Sequence, residues 1–321
     1  MLRLFFIPFL TLLLNAKETT REQIIMATYV TITTDETHSD AISKGFEIMR
    51  GVERSLSSYN QNATIAILNS KSYVKLDDYA YEAFLLSKEY YEKSDGYFDI
   101  TVGSITKELY HFNEDSQRIP TKKELNAAKI NFKGLTFNRY EARVEEGIKV
   151  DLGGMGKGFG VDKVAEYFRQ KEIKDATISA SGDIRCLGSC IINIQDPFSQ
   201  DNFLLSFKTI TEDIGISTSG NYNRFVKDTT KNHLINPKTK KPQLHFASIT
   251  LVGDMPNSHL DAYATAASVM PIQKAYKFLD SIGVGYIVLQ SDRELVVSKN
   301  ISKFIKLFKH DASKNQPQYN E

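Results

Sequence analysis

Apolar positions recur along this chain in two rhythms, one of strands and one of helices. Ile24 to Ile32 (Ile, Ile, Met, Ala, Thr, Tyr, Val, Thr, Ile) is rich in β-branched residues and predicts one strand. Beyond Ser39-Asp40, which can cap a helix, Ile42, Phe46, Met49, Val52 and Leu56 share one helical face and predict a helix to about Leu56. A second helix is predicted over Asp78 to Glu92 with Ala80, Phe84 and Leu85 inward. Residues 111 to 133 are polar and broken by Pro120, which predicts a surface insertion holding one short helix. Strands at Leu135–Asn138 and Ala142–Val150 and a helix from about Phe159 to Gln170 follow. Further strands are predicted at Thr177–Ala180, Ser189–Gln195, Phe203–Thr209 and Ile214–Ser217. Two helices, His259 to Met270 and Ile272 to Ile282, precede a hairpin through Ser291-Asp292. Strands and helices mix without regular βαβ alternation, which predicts an α+β fold. No repeat or Pro/Ser-rich linker divides the chain, so one two-lobed domain is expected over 17–310, with a polar tail at 311–321.

The first residues follow another logic. Met1-Leu2-Arg3 is positive, Leu4 to Leu14 is almost continuously apolar, and Asn15-Ala16 gives a small-residue end before Lys17-Glu18. That is the pattern of a secretory signal peptide over 1–16. The run falls short of the roughly 20 residues a membrane-spanning helix needs. After export, a bridge between Cys186 and Cys190 is permitted around a turn, and two buried thiols suit the same spacing. Two cysteines are too few for a disulfide scaffold or a Cys-rich zinc module. With 40 Lys+Arg against 39 Asp+Glu the net charge is +1, which removes the electrostatic basis for a dedicated nucleic-acid binder.

Candidate chemistry concentrates in two stretches. Asp151-Leu-Gly-Gly-Met-Gly-Lys-Gly-Phe-Gly160 leaves backbone N–H groups unshielded ahead of a helix, which suits a polyanion. It suits equally a turn where close strand–helix packing excludes side chains. The spacing matches neither the P-loop nor the dinucleotide-binding fingerprint. Asp151 can hold a ribose or ring group or organise a hydrated cation, and Lys157 can neutralise phosphate charge. In His259-Leu-Asp-Ala-Tyr-Ala-Thr265, Asp261 and Thr265 share a helical face and offer hard oxygen donors suited to Mg²⁺. An Asp near a helix start beside an exposed Thr accounts for the pair as well. Between them, Ile216 to Tyr222 runs from a strand into a hydroxyl-rich turn, and His233 stands alone at a strand end.

In order along the chain, Met26-Ala27-Thr28, Leu56 to Tyr59, Tyr97 to Gly103, Asp151 to Asp162, Ile216 to Tyr222 and Asp261 to Thr265 resemble the ApbE-type FAD:protein FMN transferases. Ser181 to Ile184 and His233 to Pro237 add to the likeness, which spans roughly 24–299. It implies a T-fold-like domain of mixed sheets and flanking helices. It also implies Mg²⁺-dependent transfer of FMN from FAD to a Ser or Thr hydroxyl of a target flavoprotein, with release of AMP. The acceptor would carry a Ser/Thr-Gly-Ala-Ser/Thr type site, and the enzyme would lie in the periplasm or on the outer side of the cytoplasmic membrane. By motif position, Met26, Tyr59, Tyr97, Phe98 and Asp99 would line the FAD site. Asp151 and Lys157 would contact FAD and Ile235 would pack against it. Gly154, through its carbonyl, would share the metal with Asp261, Ala264 and Thr265. His233 is the candidate catalytic base, since a neutral imidazole accepts a proton near pH 7, and Asp261 is the alternative.

Three departures stand out. Met-Gly-Thr of the family is Met26-Ala27-Thr28 here, a mild change if the backbone φ is negative. Gly-Gly-Asp is Ser181-Gly182-Asp183, and Asp-Pro-x-Thr-Gly is Asn236-Pro237-Lys238-Thr239-Lys240. Two alternatives share the same groups: an FAD pyrophosphatase, with water in place of the protein hydroxyl, and a periplasmic FAD-binding protein without turnover.

Overall fold

The computed structural model describes residues 17–308. The expected leader at 1–16 and the tail at 311–321 lie outside the described residues. Eight strands make one antiparallel sheet whose spatial order follows the chain: β1 (Glu18–Ile25), β2 (Thr28–Asp35), β3 (Ala176–Ala180), β4 (Asp183–Leu187), β5 (Asp213–Gly220), β6 (Phe246–Gly253), β7 (Gly285–Gln290) and β8 (Leu295–Val297). The helices are α1 (Ser39–Leu56), α2 (Thr64–Lys71), α3 (Asp78–Lys93), α4 (Gly103–Thr106), α5 (Lys122–Ala127), α6 (Gly156–Gln170), α7 (Asn257–Val269) and α8 (Ile272–Ile282).

Each face of the sheet is covered by a different layer. Phe46 and Met49 of α1 and Val164 and Phe168 of α6 bury Val30, Ile32 and Ile178. On another face, Ile214, Ile216, Val252 and Ile287 meet Ile192, Ile194, Phe207 and Ile305 of a three-stranded sheet (191–196, 199–209, 305–308). The second lobe combines α2, α3 and a small sheet (73–75, 135–137, 141–144). Its Phe84, Tyr90 and Val144 share a continuous core with Phe159, Leu260 and Ile249. Every residue of β6 and β7 is buried. Strands covered on both sides lack alternation, which is why the periodicity does not announce Phe246–Gly253.

Several expectations need correction. The predicted strand over 24–32 is a hairpin: Ile25 pairs with Thr28, and Met26 and Ala27 form its two-residue turn, both with φ of 56°. Two consecutive left-handed residues match the right-handed twist of the flanking strands. The Ala27 methyl therefore sits where glycine is favoured, contrary to the mild change expected for negative φ. Ser181 and Lys240, at the other two lost glycines, both take φ of 58°. All three positions are left-handed in this chain and carry side chains. Helix α1 has the expected span, but Ser39-Asp40 does not cap it; it follows a short turn at Glu36–His38, where Asp35 accepts from the Thr37 amide. Leu85 is 45% exposed, whereas Ala80 and Phe84 point inward as expected, joined by Ala83, Ser87 and Tyr90. The strand predicted over 142–150 ends at Val144, before a turn at Gly147 with φ of 82°. Cys186 and Cys190 are joined as a disulfide with Cα atoms 6.1 Å apart.

Candidate active site

The glycine loop is anchored before it begins. The Asn69 side chain donates to the Val150 carbonyl (2.8 Å) and accepts from its amide (2.7 Å), and the Asp151 amide donates to the Ile100 carbonyl (2.8 Å). Past the loop, α6 starts at Gly156, three residues earlier than predicted. A Cβ on Gly158 would lie 2.6 Å from the Asn257 carbonyl carbon, so α6 and the start of α7 touch backbone to backbone. Asp162 of α6 accepts from the amides of Asn257 (2.7 Å) and Ser258 (2.8 Å), capping α7 from a neighbouring helix. This junction turns Asp261 and Thr265 toward the loop. The Gly158 amide donates to Asp261 Oδ2 (3.3 Å), and a Cβ on Gly154 would lie 3.2 Å from Thr265 Oγ1. Two stretches a hundred residues apart form one wall.

That wall closes a cleft of about 1070 Å³, its solvent-open mouth included. Lys157 Nζ lies 2.8 Å from Asp183 Oδ2 and 3.3 Å from Asp261 Oδ2. Burial disfavours the Lys157 ammonium, but the Asp183 and Asp261 carboxylates outweigh it and push its pKa up. Burial, then repulsion from Asp183, pushes Asp261 up against the pull of Lys157. Asp151 would be raised by burial, yet Lys107, Arg224 and hydrogen bonds from Thr106 Oγ1 (2.7 Å) and the Gly153 amide (2.9 Å) hold it at about 2. Removal from water, then the nearby Arg224 charge, brings His233 down to about 3. Its Nδ1 lies 3.1 Å from the Arg224 carbonyl oxygen. A carbonyl only accepts, so Nδ1 carries the hydrogen and Nε2 is free to accept a proton.

The family model described as the ApbE family matches residues 26–288. The chain belongs to the ApbE family. A curated FAD:protein FMN transferase from Haemophilus influenzae is 27% identical over 305 residues, 87% of this chain and 85% of the relative. One from Vibrio cholerae is 31% identical over 193 residues, covering 55% of this chain and 56% of the relative. Among solved structures, the ApbE protein from Thermotoga maritima superposes with a TM-score of 0.81 at 22% identity, over 90% of this chain and 99% of that one. The flavin transferase ApbE from Vibrio cholerae gives a TM-score of 0.77 at 21% identity with the same coverage. The shared fold is the expected ApbE-type α+β arrangement.

Most residues singled out by the ApbE resemblance border the cleft. Tyr97, Phe98, Asp99, Asp151, Gly154 and Lys157 line it, with His233, Ile235, Asp261 and Thr265. Burial raises Asp99, opposed by hydrogen bonds from the Thr101 hydroxyl and amide. Tyr97 carries Lys238 and Lys274 over its ring, at 4.5 and 4.8 Å from the centroid. Tyr59 stands at the rim: its hydroxyl donates to the Phe112 carbonyl (2.9 Å), and Lys107 Nζ sits 3.3 Å from its ring centre. Met26 is held apart from the lining; its amide donates to Glu53 Oε1 (2.7 Å) and its Cε rests near Gly156.

The donors offered to a cation are those of an oxygen site. Asp261 gives a carboxylate, Thr265 a hydroxyl 3.3 Å from Ser219 Oγ, and the bare Gly154 backbone adjoins Thr265. Ala264 has no side-chain donor, and its carbonyl accepts from Ser268 Oγ (2.8 Å). Among the described residues no group of three or more His, Cys, Asp or Glu side chains could hold a metal. So sparse a donor set fits Mg²⁺, which keeps waters and substrate oxygens as ligands. Sequence reasoning missed Lys107 and Arg224, whose Nη2 donates to the Tyr59 hydroxyl (2.9 Å), and gave Asp183 no role. Asp183 lay within a quoted motif; Lys107 and Arg224 carry no signal apart from their charge.

Proposed function

We propose that this chain transfers FMN from FAD to a Ser or Thr hydroxyl of a target flavoprotein, with Mg²⁺, and releases AMP. One observation carries the reading: Gly154, Asp261 and Thr265 come together on a cleft wall beside Lys157, in a chain whose relatives are named FAD:protein FMN transferases. Asp261, Thr265 and the Gly154 carbonyl would hold Mg²⁺, which supplies neutralising charge on the diphosphate when bound. Lys157 and Arg224 offer further positive charge to that group, and Tyr59, Tyr97, Phe98 and Ile235 offer apolar surface to the rings. The acceptor oxygen bonds to the FMN phosphorus, the diphosphate P–O bond breaks, and the electron pair leaves with AMP. His233 Nε2 takes the hydroxyl proton. Its low pKa keeps it neutral, and the loose transition state of phosphoryl transfer asks little of a base.

The reading places the enzyme outside the cytoplasmic membrane, facing an acceptor with a Ser/Thr-Gly-Ala-Ser/Thr type site. The Cys186–Cys190 bridge supports an oxidising compartment. The test mixes purified protein, FAD, Mg²⁺ and a flavoprotein segment bearing that site. In-gel fluorescence and an FMN mass increment on the segment are expected, and Asp261→Ala abolishes both. FMN and AMP released without labelling would replace transfer by hydrolysis, and unchanged bound FAD would leave only a carrier.

A further inference from the structure

Three elements converge on one ammonium. Lys157 leaves the first turn of α6 and reaches Asp183 of β4 and Asp261 of α7 together. Asp183 is fully buried, and its other oxygen accepts from Ser217 Oγ of β5 at 2.5 Å. The register that pairs Ser217 with Asp183 across β4 and β5 fixes this carboxylate in place. Asp261 also belongs to the oxygen set that suits a divalent cation, and the oxygen facing Lys157, Oδ2, is the one that also faces the Gly158 amide. Two carboxylates against one ammonium leave this group at formal charge −1.

We propose that Lys157 and the divalent cation compete for Asp261, with Asp183 as the lysine's fixed anchor, so that metal and FAD load cooperatively. The inference rests on the flavin-transfer reading of the cleft. A cation bound to Asp261 stands within a few ångströms of the ammonium, and like charges that close repel strongly in a buried site. The ammonium stays tethered to Asp183 but loses half of its counter-charge, and the FAD diphosphate restores it. Conversely, a diphosphate that draws Lys157 aside frees Asp261 for the metal. Linkage makes the effect reciprocal: each ligand raises the affinity of the other by the same factor, within the 5- to 150-fold range typical of coupled sites. Asp183 is then a positioning residue that acts through Lys157.

Mn²⁺ is the probe, its free concentration read by electron paramagnetic resonance with and without saturating FAD. FAD is expected to tighten Mn²⁺ binding to the parent protein about tenfold. Lys157→Met should bind Mn²⁺ without FAD about tenfold more tightly than the parent, and FAD should then tighten it by a clearly smaller factor than it tightens the parent, the remainder coming from its own oxygens on the metal. That variant leaves two buried carboxylates facing each other. Should circular dichroism find it unfolded, Lys157→Met/Asp183→Asn, which restores the charge balance, is expected to show the same reduced FAD dependence. Parent-like Mn²⁺ affinity with undiminished FAD enhancement in a folded variant would overturn the exchange. A parent protein that binds no Mn²⁺ even with FAD would instead refute the proposed function.

Discussion

The crossing of α6 over α7 at Gly158 can be challenged with one methyl group. In Gly158→Ala the new carbon lies 2.6 Å from the Asn257 carbonyl carbon, closer still to its oxygen, and 2.9 Å from the Ser258 amide nitrogen. Ordinary contact begins near 3.4 Å, and every atom met is backbone, so the helices must part by most of an ångström. Overpacking of this kind costs about 1–3 kcal/mol. Alanine's better helix propensity returns about 1 kcal/mol. The net expectation is a loss of up to about 2 kcal/mol in urea unfolding. Binding should suffer more, because the same movement carries Asp261 and Thr265 away from Gly154 and Lys157. FAD binding in the presence of Mn²⁺, followed by flavin fluorescence, should weaken more than tenfold. Gly156→Ala is the control: its added carbon meets only the flexible end of the Met26 side chain, at 3.4 Å, so without a clash stability should not fall. A Gly158→Ala protein as stable as the parent, with intact binding, would show that this crossing does not set the site geometry.

Other expectations follow from single features. Ala27→Gly relieves a left-handed alanine and should stabilise by about 1 kcal/mol at most, since glycine also frees the unfolded chain; a loss in urea melts would contradict the turn. His233 falls from its ordinary 6.5 to about 3 on folding. Between those values the unfolded chain holds a proton the folded one lacks, so stability declines as pH drops below 6.5, by about 2 kcal/mol at pH 5. His233→Gln should lose that acid sensitivity, and identical pH 7 and pH 5 differences in both proteins would exclude a buried neutral imidazole. Arg224→Met should raise KM for FAD about tenfold and change kcat less; a fall in kcat alone would assign the guanidinium to the transition state.

The sequence reveals elements better than it reveals junctions. Helix α1 is legible because Phe46, Met49 and Val52 repeat on one face. The turns at Ala27, Ser181 and Lys240 are not, since the residue that normally advertises a left-handed backbone has been replaced at each. Strand β6 escapes notice because burial on both sides erases alternation. The chemistry of Asp261 and Thr265 can be read from their spacing, but their approach to Gly154 depends on Asp162 and Gly158, which show no chemical signature of their own. Lys157 was expected on FAD; its grip on two carboxylates arises only when β4, α6 and α7 meet.

The rim and the wall of the cleft are built from different parts of the chain. Tyr59, Lys107 and Phe112 come from the helical lobe and its polar insertion, while Gly154, Asp183, Asp261 and Thr265 hang from the meander and the helices packed on it. Lys240 reaches across to that insertion, donating to the Asn126 and Ala128 carbonyls at 2.9 and 2.8 Å, and Val226 and Ile235 pack against its Phe112, Leu125 and Ile130. A substitution in the insertion therefore reshapes the rim, while the Lys157, Asp183 and Asp261 contacts are set by elements that do not include it.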